Sequence, residues 1–143
     1  MTLFVADASV AVKWILRGPD EPLVAQARDI LLRQTEGKIQ VAVPDLFWVE
    51  LGNVVWKAVR CGRCTRLTAE AGLSEVRQHG LLTVASGALL DAALEIAFRY
   101  DRTVYDSIYV ALAVESRAQL ITADEKLANA TAAYLPVKWL GAW

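Results

Sequence analysis

Four acidic side chains stand where they could meet in one site. Asp7 and Asp124 each follow a short apolar run, Asp106 opens an apolar helical stretch, and Glu50 lies inside another. An ionised carboxylate next to a buried strand is costly unless something pairs with it. The pattern therefore raises the question whether a helix terminus, a basic side chain or a metal ion accompanies these acids.

A shared metal ion accounts for all four acids together. Clustered carboxylates repel one another, and a hard divalent cation with oxygen ligands relieves that repulsion. Mg²⁺ or Mn²⁺ in such a pocket can activate water and stabilise charge on a phosphodiester. The Ser9 and Thr122 hydroxyls and the Asn53 amide are suited to support the ligands.

Helix capping is the alternative explanation for three of the acids. Asp7 is a candidate N-cap for a helix that starts at Ala8, and Asp106 can cap its helix or favour the positive end of it. Thr122 and Glu125 have the spacing of a capping box. Each acid taken alone fits this structural role.

Glu50 does not fit a capping role. Leu46, Phe47 and Val54 lie one helical turn away, so Glu50 shares a mostly apolar helix face. A glutamate that faces a core needs a partner. Lys57, nearly two turns further along, is the candidate that the sequence offers.

Short apolar strands alternate with helical segments along the chain. The predicted strands are Leu3–Ala6, Ile39–Val43, Leu82–Val84, Leu120–Thr122 and Val137–Leu140. The predicted helices are Ala8–Leu16, Glu21–Gln34, Asp45–Arg60, Thr68–Gln78, Ala88–Tyr100, Tyr105–Arg117 and Asp124–Ala133. This alternation predicts an α/β fold whose parallel sheet carries helices on both faces, with the active crevice beyond the carboxyl ends of the strands.

Composition narrows the class of protein. The 143 residues carry 15 basic and 16 acidic side chains, which argues against a broad nucleic-acid surface of the histone or repressor kind. The hydrophobic fraction of 55% is high for a small monomer and suggests a buried partner interface. No apolar run is long enough to span a membrane, and no signal peptide is expected. Two cysteines without an export signal suggest a cytoplasmic setting.

Four segments resemble the acidic motifs of PIN-domain ribonucleases, in order and spacing. They read "FVADASVAVKWIL", "VPDLFWVELGNVV", "YDSIYVALA" and "LITADEKL", and the likeness is greatest to VapC toxins of toxin–antitoxin pairs. It covers nearly the whole chain, with residues 65–87 contributing least. The resemblance implies a single domain over residues 1–143, with a three-layer α/β/α fold around a mainly parallel sheet of four to five strands.

The same resemblance assigns roles residue by residue. The four acids of the family pattern correspond, in order, to Asp7, Glu50, Asp106 and Asp124. The supporting polar residues correspond to Ser9, Asn53 and Thr122. Asp101 is a rival for the third acid, but its place in a loop beside Arg102 favours an ordinary turn residue.

The family implies a metal-dependent endoribonuclease. Asp7, Asp106 and Asp124 would hold Mg²⁺ or Mn²⁺, and Asp124 would do so directly or through water. Glu50 would bind the metal through water or help to deprotonate the nucleophile. Hydrolysis would leave a 5′-phosphate and a 3′-hydroxyl. RNA as substrate, a cognate VapB-like antitoxin and a second copy of the chain are the implied partners.

The two cysteines, His79 and a basic stretch give weaker evidence for a function than the four acids do. Cys61 and Cys64 have the spacing of a redox pair but sit at a helix end, and one such pair supplies too few ligands for structural zinc. His79 is expected to be an exposed capping residue. The densest basic stretch is suited either to RNA phosphates or to the negative end of a helix, and it comprises Lys57, Arg60, Arg63 and Arg66.

Two other functions compete with a nuclease. A haloacid-dehalogenase-like phosphatase would use Asp7 as a covalent nucleophile, but that class needs a second aspartate where this chain has Ser9. A catalytically silent binding module would use the acids only as caps and ion pairs, which leaves Glu50 unexplained.

Overall fold

The structure is a computed structural model that describes residues 1–143. Its five strands are β1 (Thr2–Ala6), β2 (Ile39–Pro44), β3 (Leu82–Val84), β4 (Gln119–Thr122) and β5 (Val137–Trp139). Its seven α-helices are α1 (Ala8–Ile15), α2 (Val24–Thr35), α3 (Leu46–Arg60), α4 (Arg66–Arg77), α5 (Leu90–Tyr100), α6 (Val104–Glu115) and α7 (Glu125–Thr131). Short 3₁₀ helices cover Ser86–Leu89 and Leu140–Ala142.

All five strands are parallel, in the order β3-β2-β1-β4-β5. The connections that run from β1 outward to β3 contain α1 to α4, whereas those that run in the other direction contain α5 to α7. Because such crossovers are right-handed, the two groups of helices cover opposite faces of the sheet. The predicted α/β/α architecture is confirmed.

The core lies between the sheet and these two helix layers. Val5, Val41 and Leu120 of the three central strands are fully buried. α6 packs across β1, β2 and β4, and its residues 107–113 are all buried. Strands buried on both faces are continuously apolar, as the short apolar runs indicated.

Several predicted helix ends are wrong by a few residues because polar side chains cap or anchor the turns. α4 begins at Arg66 rather than Thr68, since the Thr65 side chain accepts a hydrogen bond from the Thr68 amide. α6 begins at Val104 because Thr103 caps it in the same way. The segment before α5 winds as a 3₁₀ helix, so the predicted single helix from Ala88 is divided.

The predicted helix from Glu21 instead begins at Val24. Leu23 adopts a left-handed conformation (φ 59°) that separates Glu21 from the helix. Glu21 turns inward and accepts a hydrogen bond from the Lys13 ammonium at 2.8 Å and another from the Arg63 guanidinium at 2.5 Å. Only 5% of the Lys13 side chain and 9% of the Glu21 side chain are exposed. This ion pair ties α1 to the α1–α2 turn and to the α3–α4 turn.

His79 is half-buried rather than exposed. It lies beyond the end of α4 with Nδ1 3.4 Å from the Thr35 hydroxyl, and its Nε2 is buried without a hydrogen-bond partner. In this chain, no helix combines the length and the apolar character that a bilayer crossing requires.

Candidate active site

The four predicted acids line one cleft at the carboxyl ends of the central strands. β1 and β4 lie side by side, with Ala6 paired to Ile121, and the connections that leave them run in opposite directions. Such a switch point leaves a crevice at the sheet edge. The cleft has a volume of about 470 Å³. The lining residues with polar side-chain atoms are Asp7, Ser9, Glu50, Asn53, Tyr105, Asp106, Tyr109 and Asp124.

Asp7 is a helix cap, but capping uses only part of its carboxylate. Oδ1 accepts hydrogen bonds from the Ser9 amide at 3.1 Å and from the Ser9 hydroxyl, and Oδ2 accepts one from the Thr122 hydroxyl at 2.5 Å. The residue is 7% exposed. Burial raises the pKa of Asp7 to about 6, against the effect of these donors, and repulsion from Asp106 adds to the rise. Asp7 can therefore cap α1 and also serve as a metal ligand.

Two hydroxyls join the start of α1 to the end of β4. The Ser9 hydroxyl accepts a hydrogen bond from the Ala123 amide at 2.9 Å while it donates to Asp7. The Thr122 hydroxyl accepts one from the Asp124 amide at 3.1 Å while it donates to the other Asp7 oxygen. Thr122 does not itself line the cleft, but its hydrogen bond fixes the orientation of the Asp7 carboxylate.

The predicted capping box at Thr122 does not form. Thr122 ends β4, and Asp124 is the N-cap of α7, where its Oδ1 accepts hydrogen bonds from the Lys126 and Leu127 amides. Asp124 is exposed. Its other carboxylate oxygen, Oδ2, has no hydrogen-bond partner within the chain and is available to a ligand.

Asp106 lies in the first turn of α6 and does not cap that helix. Thr103 is the cap, and its hydroxyl accepts a hydrogen bond from the Asp106 amide at 3.1 Å. Burial raises the pKa of the Asp106 carboxyl, repulsion from Asp124 raises it further, and Arg102 lowers it in part. Asp101, the rival for this position, is an exposed left-handed residue (φ 53°) at the end of α5 and does not line the cleft.

Glu50 is bound by Tyr109 and not by Lys57. The Tyr109 hydroxyl donates a hydrogen bond to Glu50 Oε1 at 2.6 Å. A phenol orients a carboxylate without neutralising it. Burial accordingly raises the pKa of Glu50, Tyr109 lowers it in part, and Asp106 raises it again. The predicted Lys57 partner is wrong, since no salt bridge or hydrogen bond joins the two residues.

The donor set suits a hard cation that retains part of its water. None of the four acids takes part in a salt bridge. Burial is the main cause of the raised pKa values of Asp7 and Asp106, and repulsion from a neighbouring acid adds to each. No three acidic, histidine or cysteine side chains are arranged to hold an ion by themselves. Mg²⁺ is usually held by one or two carboxylates and keeps several waters, so this arrangement fits it.

The predicted basic stretch lies outside the cleft lining. Arg63 binds Glu21, Arg66 binds Glu70 at 2.8 Å, and the Arg60 guanidinium lies 5.4 Å from the centre of the Trp56 ring. Lys57 has no such partner. Cys61 and Cys64 are free, and Cys61 is the exposed C-cap of α3, which matches the expectation for an ordinary helix end.

Sequence reasoning missed Tyr109 as a member of the site. One signal was present, because Tyr109 follows Asp106 by three residues on a helix and therefore shares its face. Its contact with Glu50 spans 59 positions of the chain, and no local pattern indicates it.

Comparison with known proteins gives one family. The PIN domain model matches residues 4–133. The exonuclease VapC9 of Pyrobaculum aerophilum is 31% identical over 71% of this chain and 74% of its own length. The ribonuclease VapC3 of the same organism is 34% identical over 59% of this chain and 66% of its own length, slightly under two thirds.

Solved structures share the fold. The crystal structure of PAE2754 from Pyrobaculum aerophilum is 23% identical with a TM-score of 0.73, over 99% of this chain and 92% of that one. VapBC2 from Rickettsia felis, bound to a DNA fragment from its promoter, is 15% identical with a TM-score of 0.69, over 96% and 98% of the two chains. A toxin–antitoxin complex from Klebsiella pneumoniae is 18% identical with a TM-score of 0.61, over 94% and 95%.

Proposed function

The chain belongs to the PIN-domain family, and on that premise we propose that it is a VapC-type endoribonuclease that depends on Mg²⁺ or Mn²⁺. One observation carries the proposal. Asp7, Glu50, Asp106 and Asp124 line a single cleft at the switch point of the sheet, and none of them forms a salt bridge with a basic side chain.

Asp7, Asp106 and Asp124 are the residues that would hold the cation. When bound, the ion would activate a water molecule and stabilise negative charge on the scissile phosphodiester. The Ser9 and Thr122 hydroxyls fix the orientation of Asp7 through both of its oxygens. Asp124 offers the oxygen that capping leaves free, either directly or through a water molecule.

Glu50 is the residue that would accept a proton from the attacking water. Tyr109 occupies Oε1, which leaves Oε2 available and holds the carboxylate in one orientation. The raised pKa of Glu50 makes it a stronger base than an exposed glutamate. The water oxygen bonds to phosphorus, the bond from phosphorus to the 3′ oxygen breaks, and that oxygen takes up a proton. The products are a 5′-phosphate and a 3′-hydroxyl.

The cleft wall offers contacts for RNA beside the acids. Asn53 is exposed on α3 and lines the cleft, and Lys57 lies one turn beyond it. We propose Lys57 as a backbone phosphate contact because its ammonium is unpaired. Arg60 is a second candidate, whereas Arg63 and Arg66 already bind Glu21 and Glu70.

The proposal includes two protein partners and a location. The solved structures from Klebsiella pneumoniae and Rickettsia felis that share this fold are a toxin–antitoxin complex and VapBC2. This likeness supports a cognate VapB-like antitoxin as a partner of this chain. We also propose a homodimer, in keeping with the high apolar fraction. The two free cysteines support a reducing, cytoplasmic setting.

Cleavage of total RNA by the purified, antitoxin-free chain tests the activity. The reactions contain Mg²⁺, Mn²⁺ or EDTA, and the variants are Asp7→Asn and Asp106→Asn. Asp101→Asn is the matched control, because it removes an equal charge five residues from Asp106 but outside the cleft. Cation-dependent cleavage that only the control retains supports the proposal. Equal cleavage by all variants identifies a contaminating nuclease.

A circular RNA separates internal from terminal cleavage. The two relatives are named an exonuclease and a ribonuclease, so the mode of attack needs its own test. An endoribonuclease opens the circle, whereas an enzyme that needs a free end leaves it intact and degrades only the linear form. Mapping the new ends then gives the cleaved sequence.

A further inference from the structure

One exposed aromatic side chain lies in the cleft beside the acids. Tyr105 is 63% exposed and lines the cleft, directly before Asp106 on α6. Its ring forms no pair with another aromatic ring or with a cation in the chain. The other aromatic residues that are more than half exposed lie outside the cleft lining, and they are Trp56, Phe98 and Tyr134. Tyr105 therefore provides the one exposed aromatic surface next to the proposed metal ligands.

The place of the Tyr105 ring follows from the spacing of α6. Tyr105 and Tyr109 are one helical turn apart, so their side chains lie one above the other on the same face of the helix. Tyr109 is buried and donates its 2.6 Å hydrogen bond to Glu50, whereas Tyr105, nearer the start of the helix, is open to solvent. The inner ring therefore joins α6 to α3, and the outer ring is accessible to a ligand in the cleft.

The α3 side of the cleft adds a second exposed apolar side chain. Val49 is 72% exposed, directly precedes Glu50 and lines the same cleft. Tyr105 and Val49 each adjoin one of the four acids in the chain, so the cleft combines charged groups with exposed apolar surface. A nucleotide has the matching combination, because its charged phosphate is linked to a flat aromatic base.

We propose that a base which flanks the scissile phosphate stacks on the Tyr105 ring while the phosphate lies at the acids. This inference rests on the nuclease activity proposed above and adds a base-binding subsite to it. Asp106 would hold the cation at which the phosphate reacts, and Tyr105 is its neighbour in the chain. A base on the ring therefore belongs to a nucleotide next to the cut. Aromatic side chains bind the unpaired bases of RNA in this way.

The size of the apolar surface favours a base over a protein partner as its occupant. The cleft volume of about 470 Å³ is within the range of sites that bind one small ligand. A stable protein interface buries at least about 1,200 Å² in total, of which two side chains supply only a small part. Because every base has an aromatic face, the ring is expected to position the RNA rather than to read its sequence.

Steady-state cleavage by Tyr105→Ala tests the role of the ring. The substrate is a short synthetic RNA that spans the cleavage site mapped in total RNA. Stacking stabilises the bound substrate and the transition state equally, so KM is expected to rise about five- to a hundredfold while kcat changes little. Tyr105→Phe is expected to behave as the wild type does, since stacking needs the ring and not the hydroxyl. Tyr134→Ala is the matched control, because Tyr134 is 81% exposed but lies outside the cleft lining.

An abasic nucleotide distinguishes stacking from other effects of the substitution. Each of the two nucleotides beside the cut is replaced in turn by one that lacks a base, and KM is measured for the wild type and for Tyr105→Ala. At one of the two positions, loss of the base is expected to raise the wild-type KM as much as Tyr105→Ala does. The two changes together should then raise KM no further.

The outcomes separate this subsite from the proposed activity. An unchanged KM in Tyr105→Ala, a loss that Tyr105→Phe shares, or additive effects of Tyr105→Ala with both abasic nucleotides would overturn base stacking and leave the nuclease intact. Thermal unfolding verifies that the variants fold, as the exposure of Tyr105 leads us to expect. If the folded wild type cleaves no RNA with Mg²⁺ or Mn²⁺, the nuclease and its subsite are both overturned.

Discussion

The Tyr109 hydroxyl and the Glu50 carboxylate form a 2.6 Å hydrogen bond between α6 and α3. The two helices belong to opposite layers of the fold, and Tyr109 is only 2% exposed. The bond therefore joins the two helix layers at the carboxyl-end edge of the sheet, where the cleft lies. It fixes one oxygen of Glu50, a residue that lines the cleft, and leaves the second oxygen without a hydrogen-bond partner in the chain.

Removal of this hydrogen bond is expected to impair catalysis more than substrate binding. Tyr109→Phe keeps the ring in the core and deletes only the donor, and a hydrogen bond to a charged group contributes about 1.5–3 kcal/mol. We therefore expect kcat to fall by about ten- to a hundredfold with little change in KM. Steady-state cleavage of a short RNA over a range of substrate concentrations measures both constants.

A double-mutant cycle distinguishes positioning from a general loss of structure. If Tyr109 acts through Glu50, adding Tyr109→Phe to Glu50→Gln costs little further activity. Additive losses would show that Tyr109 affects activity independently of Glu50.

Asp7 destabilises the folded protein at neutral pH in the absence of a cation. Its pKa rises from 3.8 to about 6 on folding, so the folded state binds this proton more tightly than the unfolded state does. Protonated Asp7 therefore contributes to the free energy of unfolding below pH 3.8, and this contribution is lost as the pH rises through 6. The loss amounts to about 3 kcal/mol.

Asp7→Asn is thus expected to unfold at higher denaturant concentration than the wild type at pH 8. The gain should be at most about 3 kcal/mol and should vanish near pH 4, where the wild-type acid is protonated. Urea unfolding at both pH values in EDTA measures it. A variant that is less stable at pH 8 would mean that the Ser9 and Thr122 hydrogen bonds outweigh the cost of the buried charge.

A divalent cation should reverse that order of stability. Ligands that bind only the folded state raise its stability in proportion to the logarithm of their concentration. We expect Mn²⁺ to raise the melting temperature of the wild type and of Asp101→Asn by several degrees. Asp7→Asn and Asp106→Asn should show little change, and an equal rise in all four proteins would place the ion elsewhere.

The Lys13–Glu21 pair is expected to be the costliest ion pair to break. Glu21→Gln leaves the Lys13 ammonium buried without a counter-charge, which costs about 3–5 kcal/mol. Glu70→Gln, which breaks an exposed pair with Arg66, should cost under about 0.5 kcal/mol. Urea unfolding at pH 7 compares the two variants.

The pH dependence of this pair has the opposite sign to that of Asp7. Burial acts to raise the pKa of the Glu21 carboxyl, but the hydrogen bonds and charges of Lys13 and Arg63 outweigh it and lower the pKa below the ordinary value. The stability that it contributes is therefore present above the unfolded pKa of 4.5 and is lost as pH falls through the folded value. Glu21→Gln should accordingly cost less at low pH than at pH 7.

Much of the fold and the meeting of the acids follow from local patterns. Continuous apolar runs separated by amphipathic helices indicate a covered parallel sheet, and the carboxyl ends of its strands bring Asp7 and Asp124 to one edge. These predictions depend only on periodicity and on the handedness of crossovers.

The errors arise where a distant side chain decides between local alternatives. Thr122 has the spacing of a cap, but its hydroxyl is committed to Asp7, 115 positions away. Glu21 has the place of a first helical residue, but its carboxylate turns toward Lys13. Glu50 has a basic residue two turns along its own helix, yet its partner lies on another helix. In each case a tertiary contact outweighs a weaker local preference.

The burial of the Asp7 carboxylate also affects how the gene for this protein can change. Because the buried charge destabilises the folded state, Asp7→Asn is expected to abolish RNA cleavage and to increase the stability of the chain. A lineage that loses the inhibitor can therefore silence this protein through one codon change at Asp7 and still accumulate it as a folded product. Selection against its harm and selection for its abundance would then act in the same direction.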